Sequence, residues 1–210
     1  IEQCVELGVT SFDHAGIYGG YAVEGLFGEA LALAPELRER LQLVGKCGIK
    51  LVAPARPDHR IKHYDSSAAH IAASVENSLR ALRTDRLDLL LIHRPDPLMD
   101  ADDVARAFES LRAAGKVRHF GVSNFTPGQF ELLASRFPLV TNQIELHPLH
   151  RTALTDGTLD QLQRLRIRPM IWSPLAGGAL ISGDGEAERR VQAALGRIGE
   201  RLGASAASVA

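Results

Sequence analysis

The sequence predicts a parallel α/β fold, and three observations carry that prediction. Short apolar runs alternate with helical patterns along the 210 residues, and most of the runs are rich in β-branched residues. Runs of that kind suit strands buried on both faces of a parallel sheet. Each run also ends on or near a polar residue that packing alone would not select. An open doubly wound sheet and a closed barrel both satisfy the alternation. Neither a Gly-x-Gly-x-x-Gly turn nor a Gly-x-x-x-x-Gly-Lys-Ser/Thr turn follows any run, which weakens the open nucleotide-binding sheets.

The predicted strands span 10–13, 41–46, 87–93, 117–123, 139–145 and 168–173. Between the second and third lies a helix with the stripe Ile71, Val75, Leu79 and Leu82, with Asp65 and Ser66 as candidate caps. The next helix carries Val104, Phe108 and Leu111, has Asp102 and Asp103 in its first turn, and stops at Gly115. Thr126-Pro127-Gly128-Gln129 reads as a capping box with proline at the first helical position. Leu159, Leu162 and Leu165 mark a fourth helix, and Val191, Leu195, Ile198 and Leu202 a fifth that ends at Gly203. The segment 48–64 is the longest irregular stretch, and a connection of that length is usually functional or mobile. No linker or low-complexity tract interrupts residues 1–210, which read as one domain.

Composition excludes several classes. The chain is 45% hydrophobic and 23% charged, with a formal net charge of -1. That balance gives no electrostatic case for nucleic acid or an anionic membrane. The apolar runs are strand-sized, far short of the ~20 residues of a membrane span, and no signal-peptide pattern opens the chain. Cys4 and Cys47 read as two reduced thiols of a cytoplasmic protein rather than a disulfide. Both ends look cut: Ile1 falls inside an apparent helix, and Ala210 follows shortly after another begins. The expectation is a retained part of a longer chain that does not fold independently.

The polar residues at the strand ends are the functional signal. They are Asp13, Lys46, His93, Ser123 with Asn124, Gln143, and Trp172 with Ser173. In a barrel such positions converge on the rim that carries catalysis. Taken singly, each has a plainer reading. Asp13 caps a turn, Lys46 snorkels to water, His93 is a satisfied core histidine, Asn124 and Gln143 tie loops, and Tyr18 is a packing aromatic. Their joint placement favours a working site.

The same residues resemble the aldo-keto reductase family. Phe12-Asp13-His14-Ala15, Tyr18-Gly19, Glu24, Gly28 and Leu31 are similar to its first signature. Val44-Gly45-Lys46-Cys47-Gly48 and Leu89-Leu90-Leu91-Ile92-His93 resemble its second and third elements. Gly121-Val122-Ser123-Asn124-Phe125, Asn142-Gln143-Ile144-Glu145 and Trp172-Ser173-Pro174-Leu175 continue the series in the family's order, over nearly the whole chain. His93-Arg94-Pro95-Asp96-Pro97-Leu98 resembles a bacterial oxidoreductase subgroup. The resemblance implies a (β/α)8 TIM barrel, incomplete here, with about six of its eight strands present. The first strand would precede Ile1 and the eighth would follow Ala210.

It also implies a mechanism. A carbonyl oxygen gains charge as hydride arrives and needs a proton donor. Tyrosine's ordinary pKa of ~10 is high for that task, and a neighbouring ammonium favours the phenolate. By resemblance Tyr18 is the general acid, Lys46 the ammonium, Asp13 its holder, and His93 the residue that orients the carbonyl. Ser123, Asn124 and Gln143 match positions that bind a nicotinamide carboxamide, and Trp172 matches the aromatic that stacks on the ring. Ser173, Pro174, Leu175 and Gly177 lie in the loop that wraps the pyrophosphate, where glycine permits close approach. The implied cofactor is NADPH. NADH stays open, because the family's basic stretch for the adenosine side has no counterpart before Ala210. The implied substrate is a small carbonyl compound whose identity the loops choose. Oligomeric state is not written in these residues.

Two other classes compete. A Schiff-base aldolase also places a lysine at a barrel strand end, but that lysine must be neutral, and Asp13 as its partner would keep it charged. A cofactor-binding regulatory module would share the fold; a complete tetrad argues against a dead site and is compatible with slow turnover in a sensing role. His147-Pro148-Leu149-His150 has chelating spacing without a third ligand nearby, so a surface loop is the better reading and no metal is expected. His59, His63 and Tyr64 are expected to shape substrate access.

Overall fold

The segment Leu87–Ile92 buries Leu87, Leu90, Leu91 and Ile92 almost completely, because it is a strand with a parallel neighbour on each side. The computed structural model describes residues 1–210, which form two units, 1–141 and 142–210. In chain order the first holds helix α1 (Glu2–Glu6), strand β1 (Ser11–Asp13), helix α2 (Val23–Leu31) and strand β2 (Gln42–Cys47). Short strands β3 (Ile49–Lys50) and β4 (His63–Tyr64) follow, then α3 (Ala68–Leu82), β5 (Leu87–Ile92), α4 (Ala101–Ala113), β6 (Val117–Ser123) and α5 (Pro127–Ala134). The second unit holds β7 (Asn142–Glu145), α6 (Thr158–Arg164), β8 (Met170–Trp172), α7 (Ala179–Ser182), α8 (Glu186–Leu202) and α9 (Ala206–Val209).

In the first unit the parallel strands lie in the order β1-β2-β5-β6. Phe12 faces Leu43, Lys46 faces Leu91, and Leu90 faces Phe120. Helices cover the sheet with the apolar stripes that the sequence predicts. Ile71, Val75, Leu79 and Leu82 of α3 are buried, as are Val104, Phe108 and Leu111 of α4. Phe108, Phe120 and Phe137 join α4 to β6, with ring centroids 4.4 to 5.4 Å apart. Helices α2 and α3 approach closely at Gly28, where an added Cβ would stand 2.0 Å from the Ala81 carbonyl oxygen.

A buried ion network clamps the start of β5. Arg38 Nη2 lies 3.0 Å from Asp88 Oδ2 and also donates to the Arg86 carbonyl, while Nε reaches Thr84 and Nη1 the Leu41 carbonyl. Asp88 in turn accepts from the Leu43 amide and from Arg118.

In the second unit β7 and β8 pair in parallel, with Gln143 opposite Met170 and Glu145 opposite Trp172. Helix α8 ends at Gly203, whose φ of 63° is the left-handed stop read from the sequence. Of its apolar stripe Leu195 is buried, whereas Leu202 is 70% exposed.

The capping box at Thr126 is present in both directions, and Gly115 takes a φ of 70° after α4. Other expectations need correction. The cap of α3 is Ser67, not Asp65 or Ser66; Asp65, two residues upstream, instead accepts from the Ser67 amide and hydroxyl. Segment 48–64 is not wholly irregular, because β3 and β4 pair antiparallel across it. Strand β2 runs one residue past Lys46, β5 stops one short of His93, and β7 begins at Asn142 rather than at 139. No helix is long and apolar enough to cross a membrane.

Candidate active site

Strands β1 and β2 place Asp13 and Lys46 beside each other, since Asp13 pairs with Val44 and Lys46 lies two residues on, facing the same way. The Lys46 ammonium lies 2.7 Å from Asp13 Oδ2, 3.1 Å from Tyr18 Oη and 3.1 Å from the His14 carbonyl oxygen. An ammonium has three protons and here meets three acceptors. Its side chain is 1% exposed, while the Asp13 side chain is 39% exposed. A buried cation needs such pairing, because isolation from water is costly.

Tyr18 opens a tight turn in which Gly19, Gly20 and Tyr21 all adopt left-handed backbone. Gly19 is required there, because its φ is positive and a Cβ would stand 2.7 Å from Val23 Cγ2. His93 follows β5, held by its amide donating to the Cys47 carbonyl at 2.8 Å. Its ring meets the Tyr18 ring edge-on, with centroids 5.8 Å apart. Burial, then the nearby charges of Lys46, Arg94 and Lys62, bring the His93 pKa down to about 3. His93 is therefore a neutral imidazole, with one nitrogen donating and the other accepting. The structure thus brings together Asp13, Tyr18, Lys46 and His93.

Ser123 ends β6 and is buried, and Asn124 beyond it takes a φ of 61° and donates to Ser123 Oγ at 2.7 Å. In the second unit Gln143 is buried within β7, and Trp172 ends β8. Ser173 turns the chain with a φ of 54° and accepts from the Gly177 amide at 2.9 Å. Gly177 and Gly178 have φ values of 63° and 98°, and a Cβ on either would meet only open space. Backbone with that freedom and that clearance fits the close approach of a phosphate-bearing group.

Three features of the first unit had no role assigned from the sequence. Tyr21 Oη accepts from the Leu51 amide at 2.8 Å and contacts His59, so it ties the 51–59 loop to the turn after β1. His14 is buried with neither ring nitrogen partnered, its ring edge against Phe27. Glu24 is buried, with both carboxylate oxygens at the Ser78 hydroxyl. His14 and Glu24 both stand in the first signature motif, whereas Tyr21 carried no signal. His63 pairs within the β3–β4 hairpin through Lys50, and Tyr64 through Ile49. In the second unit His147 uses both ring nitrogens locally, Nε2 at 3.1 Å from Glu145 and Nδ1 accepting from the Leu149 amide.

The profile of the Aldo/keto reductase family matches residues 1–210. The chain is 62% identical to the oxidoreductase YdhF of Escherichia coli over 186 residues, 88% of this chain and 62% of that protein. It is 50% identical to a 6-dehydroglucose reductase of Agrobacterium fabrum over 212 residues, 100% of this chain and 70% of that protein. Among solved structures, a glycerol dehydrogenase from Gluconobacter oxydans superposes with a TM-score of 0.86 at 26% identity, covering 98% of this chain and 68% of that one. An aldo/keto reductase from Klebsiella pneumoniae, crystallised with NADP and acetate, gives 0.75 at 29% identity over 97% of this chain and 65% of its own. The chain thus spans 62 to 70% of the length of these proteins.

Proposed function

The chain belongs to the aldo/keto reductase family, whose fold is a (β/α)8 barrel, and from that premise we propose that it reduces aldehydes and ketones to alcohols with NADPH. The observation that carries this reading is the Lys46 ammonium held between the Asp13 carboxylate and the Tyr18 hydroxyl. In it, the two units belong to one barrel domain, a reading supported by a family match that runs unbroken from 1 to 210.

Tyr18 gives its proton to the carbonyl oxygen as negative charge develops there. The Lys46 ammonium stabilises the phenolate left behind, and Asp13 holds Lys46 in place. His93, neutral through burial, donates a hydrogen bond to the same oxygen without adding a second cation beside Lys46. NADPH, when bound, supplies the hydride. Ser123, Asn124 and Gln143 would hold its carboxamide, Trp172 its ring face, and Ser173, Pro174, Leu175 and Gly177 its pyrophosphate. Two unpaired cysteines, Cys4 and Cys47, support a reducing cytoplasmic setting.

Relatives of 50% and 38% identity are both 6-dehydroglucose reductases, which makes a sugar-derived carbonyl the first substrate to offer. The test follows the absorbance of NADPH and, separately, NADH across a panel of sugar aldehydes, simple ketones and nitrobenzaldehyde. We expect carbonyl-dependent oxidation of NADPH. A protein that oxidises neither cofactor with any carbonyl overturns the reading.

A further inference from the structure

A crevice of about 210 Å³ opens beside helices α2 and α3, and Lys46 and His93 line it while Tyr18 does not. Its other walls include Glu24, Ser74, Asn77 and Ser78, so one side of it is polar, and it has room for several waters. Ala81, which helix α2 approaches closely at Gly28, is also in its wall.

Glu24 is the misfit in this crevice. It is buried, pairs with no cation, and shares a single hydroxyl proton from Ser78 between two oxygens 2.9 and 3.0 Å away. An ionised carboxylate offers about four acceptor sites and needs more donors than one. Burial raises the Glu24 pKa, and Ser78 and Lys46 offset that only in part. The other ionisable side chains at the crevice are basic or aromatic residues and one thiol, with no second carboxylate. Lys50 is paired with Asp65, and Arg56 lies over the Tyr21 ring. Burial lowers the pKa of His70 as it does that of His93, and burial pushes the Cys47 thiol up to about 12. His59 and Tyr21 close the list with their mutual contact.

Carbonyl reduction consumes one solvent proton per alcohol, and Tyr18 must be reprotonated each cycle. The donor beside its oxygen is Lys46, all three of whose protons are committed. We propose that this crevice is the proton-supply route of the site, with Glu24 as a relay that acts through Lys46. Lys46 passes a proton to the Tyr18 oxygen and regains one, through crevice water, from the Glu24 carboxyl. The Glu24 carboxylate is then reprotonated from bulk water, so one proton enters for each one delivered. This rests on the reductase reading above.

Glu24→Gln keeps the shape and the Ser78 hydrogen bond but cannot carry the proton. We expect kcat to fall about tenfold, short of the 10²–10⁴-fold loss of a group at the reacting atom. KM, cofactor affinity and Tm should hold, the solvent deuterium effect should rise, and formate should restore part of the rate of Glu24→Ala. Wild-type kinetics in Glu24→Gln overturn the relay, as does a loss accompanied by lowered Tm and without formate rescue. Wild-type protein that reduces no carbonyl fails the reductase reading instead. In that case infrared titration of the resting protein decides whether Glu24 holds the proton that the relay requires. A carboxyl band that persists where ordinary carboxyls are ionised, vanishes in Glu24→Gln and titrates higher in Lys46→Met supports it; absence of that band overturns it.

Discussion

Lys46 Nζ stands 3.1 Å from Tyr18 Oη and only 2.7 Å from Asp13 Oδ2, so one buried cation contacts both the phenol and the carboxylate. The carboxylate is the more exposed partner, so water reaches it while the ammonium stays dry. The pairing makes Tyr18 and Lys46 separable by mutation. Removal of the phenol hydroxyl takes away the proton itself, whereas removal of the ammonium takes away what stabilises its departure.

Tyr18→Phe should therefore lower turnover by roughly 10²–10⁴-fold, the range of lost acid catalysis, with cofactor affinity unchanged. Lys46→Met should lower it comparably and also destabilise the fold modestly, because Asp13 loses its partner. Steady-state kinetics with cofactor titration checks both. Near-normal turnover in Tyr18→Phe removes Tyr18 from the acid's role.

His93 supplies a pH prediction whose sign follows from its lowered pKa of about 3. In the unfolded chain the ring takes a proton near its ordinary value of 6.5. Between those two values the unfolded state binds the extra proton and the folded state does not, so stability falls as pH drops through that window. Burial of His14 and His70 acts in the same direction. A Tm that declines from neutrality to about pH 4.5, and declines less in His93→Gln, is the expected result. Parallel slopes in the two proteins refute the assignment to His93.

The strands and the rim were legible because both are local patterns. Doubly buried strands read as apolar runs, and Asp13, Ser123 and Trp172 stand at or near the ends of theirs. The turn chemistry of Thr126, Gly115 and Gly203 was legible for the same reason. The β3–β4 hairpin was not, since two-residue strands carry no periodicity. Ser67 displaced Asp65 as cap because three adjacent residues all carry capping oxygens and only geometry chooses. Arg38–Asp88 and Glu24–Ser78 join residues about fifty positions apart, and nothing in either segment announces the other. The roles proposed for Asp13, Tyr18, Lys46 and His93 came from resemblance, while the neutrality of His93 came only from the surroundings the fold builds.

Trp172 is the only tryptophan, which turns fluorescence into a test of the cofactor assignment. If the nicotinamide ring lies against it, NADPH should quench its emission and gain sensitised emission of its own. Ser173→Ala, which deletes the hydroxyl bonded to the Gly177 amide, should weaken NADPH binding without altering the spectrum of the free protein. Emission that does not change at saturating cofactor places the ring elsewhere.

The Arg38–Asp88 network makes a prediction about stability with activity as its control. Both side chains are about nine-tenths buried, and Arg38 satisfies four acceptors from that position. Loss of the guanidinium leaves a buried carboxylate with one backbone donor and the half-exposed Arg118. Breaking a buried pair from one side costs about 3–5 kcal/mol, so Arg38→Met should lower the urea midpoint sharply. Asp88 is the second residue of β5 and His93 follows its end, roughly 16 Å away along an extended strand. The folded fraction of Arg38→Met should therefore keep its cofactor affinity and its turnover per active site. A midpoint shift within error shows that water reaches Asp88 and that the network does not clamp the strand. A preserved midpoint with lost turnover would instead tie this end of β5 to the chemistry at the other.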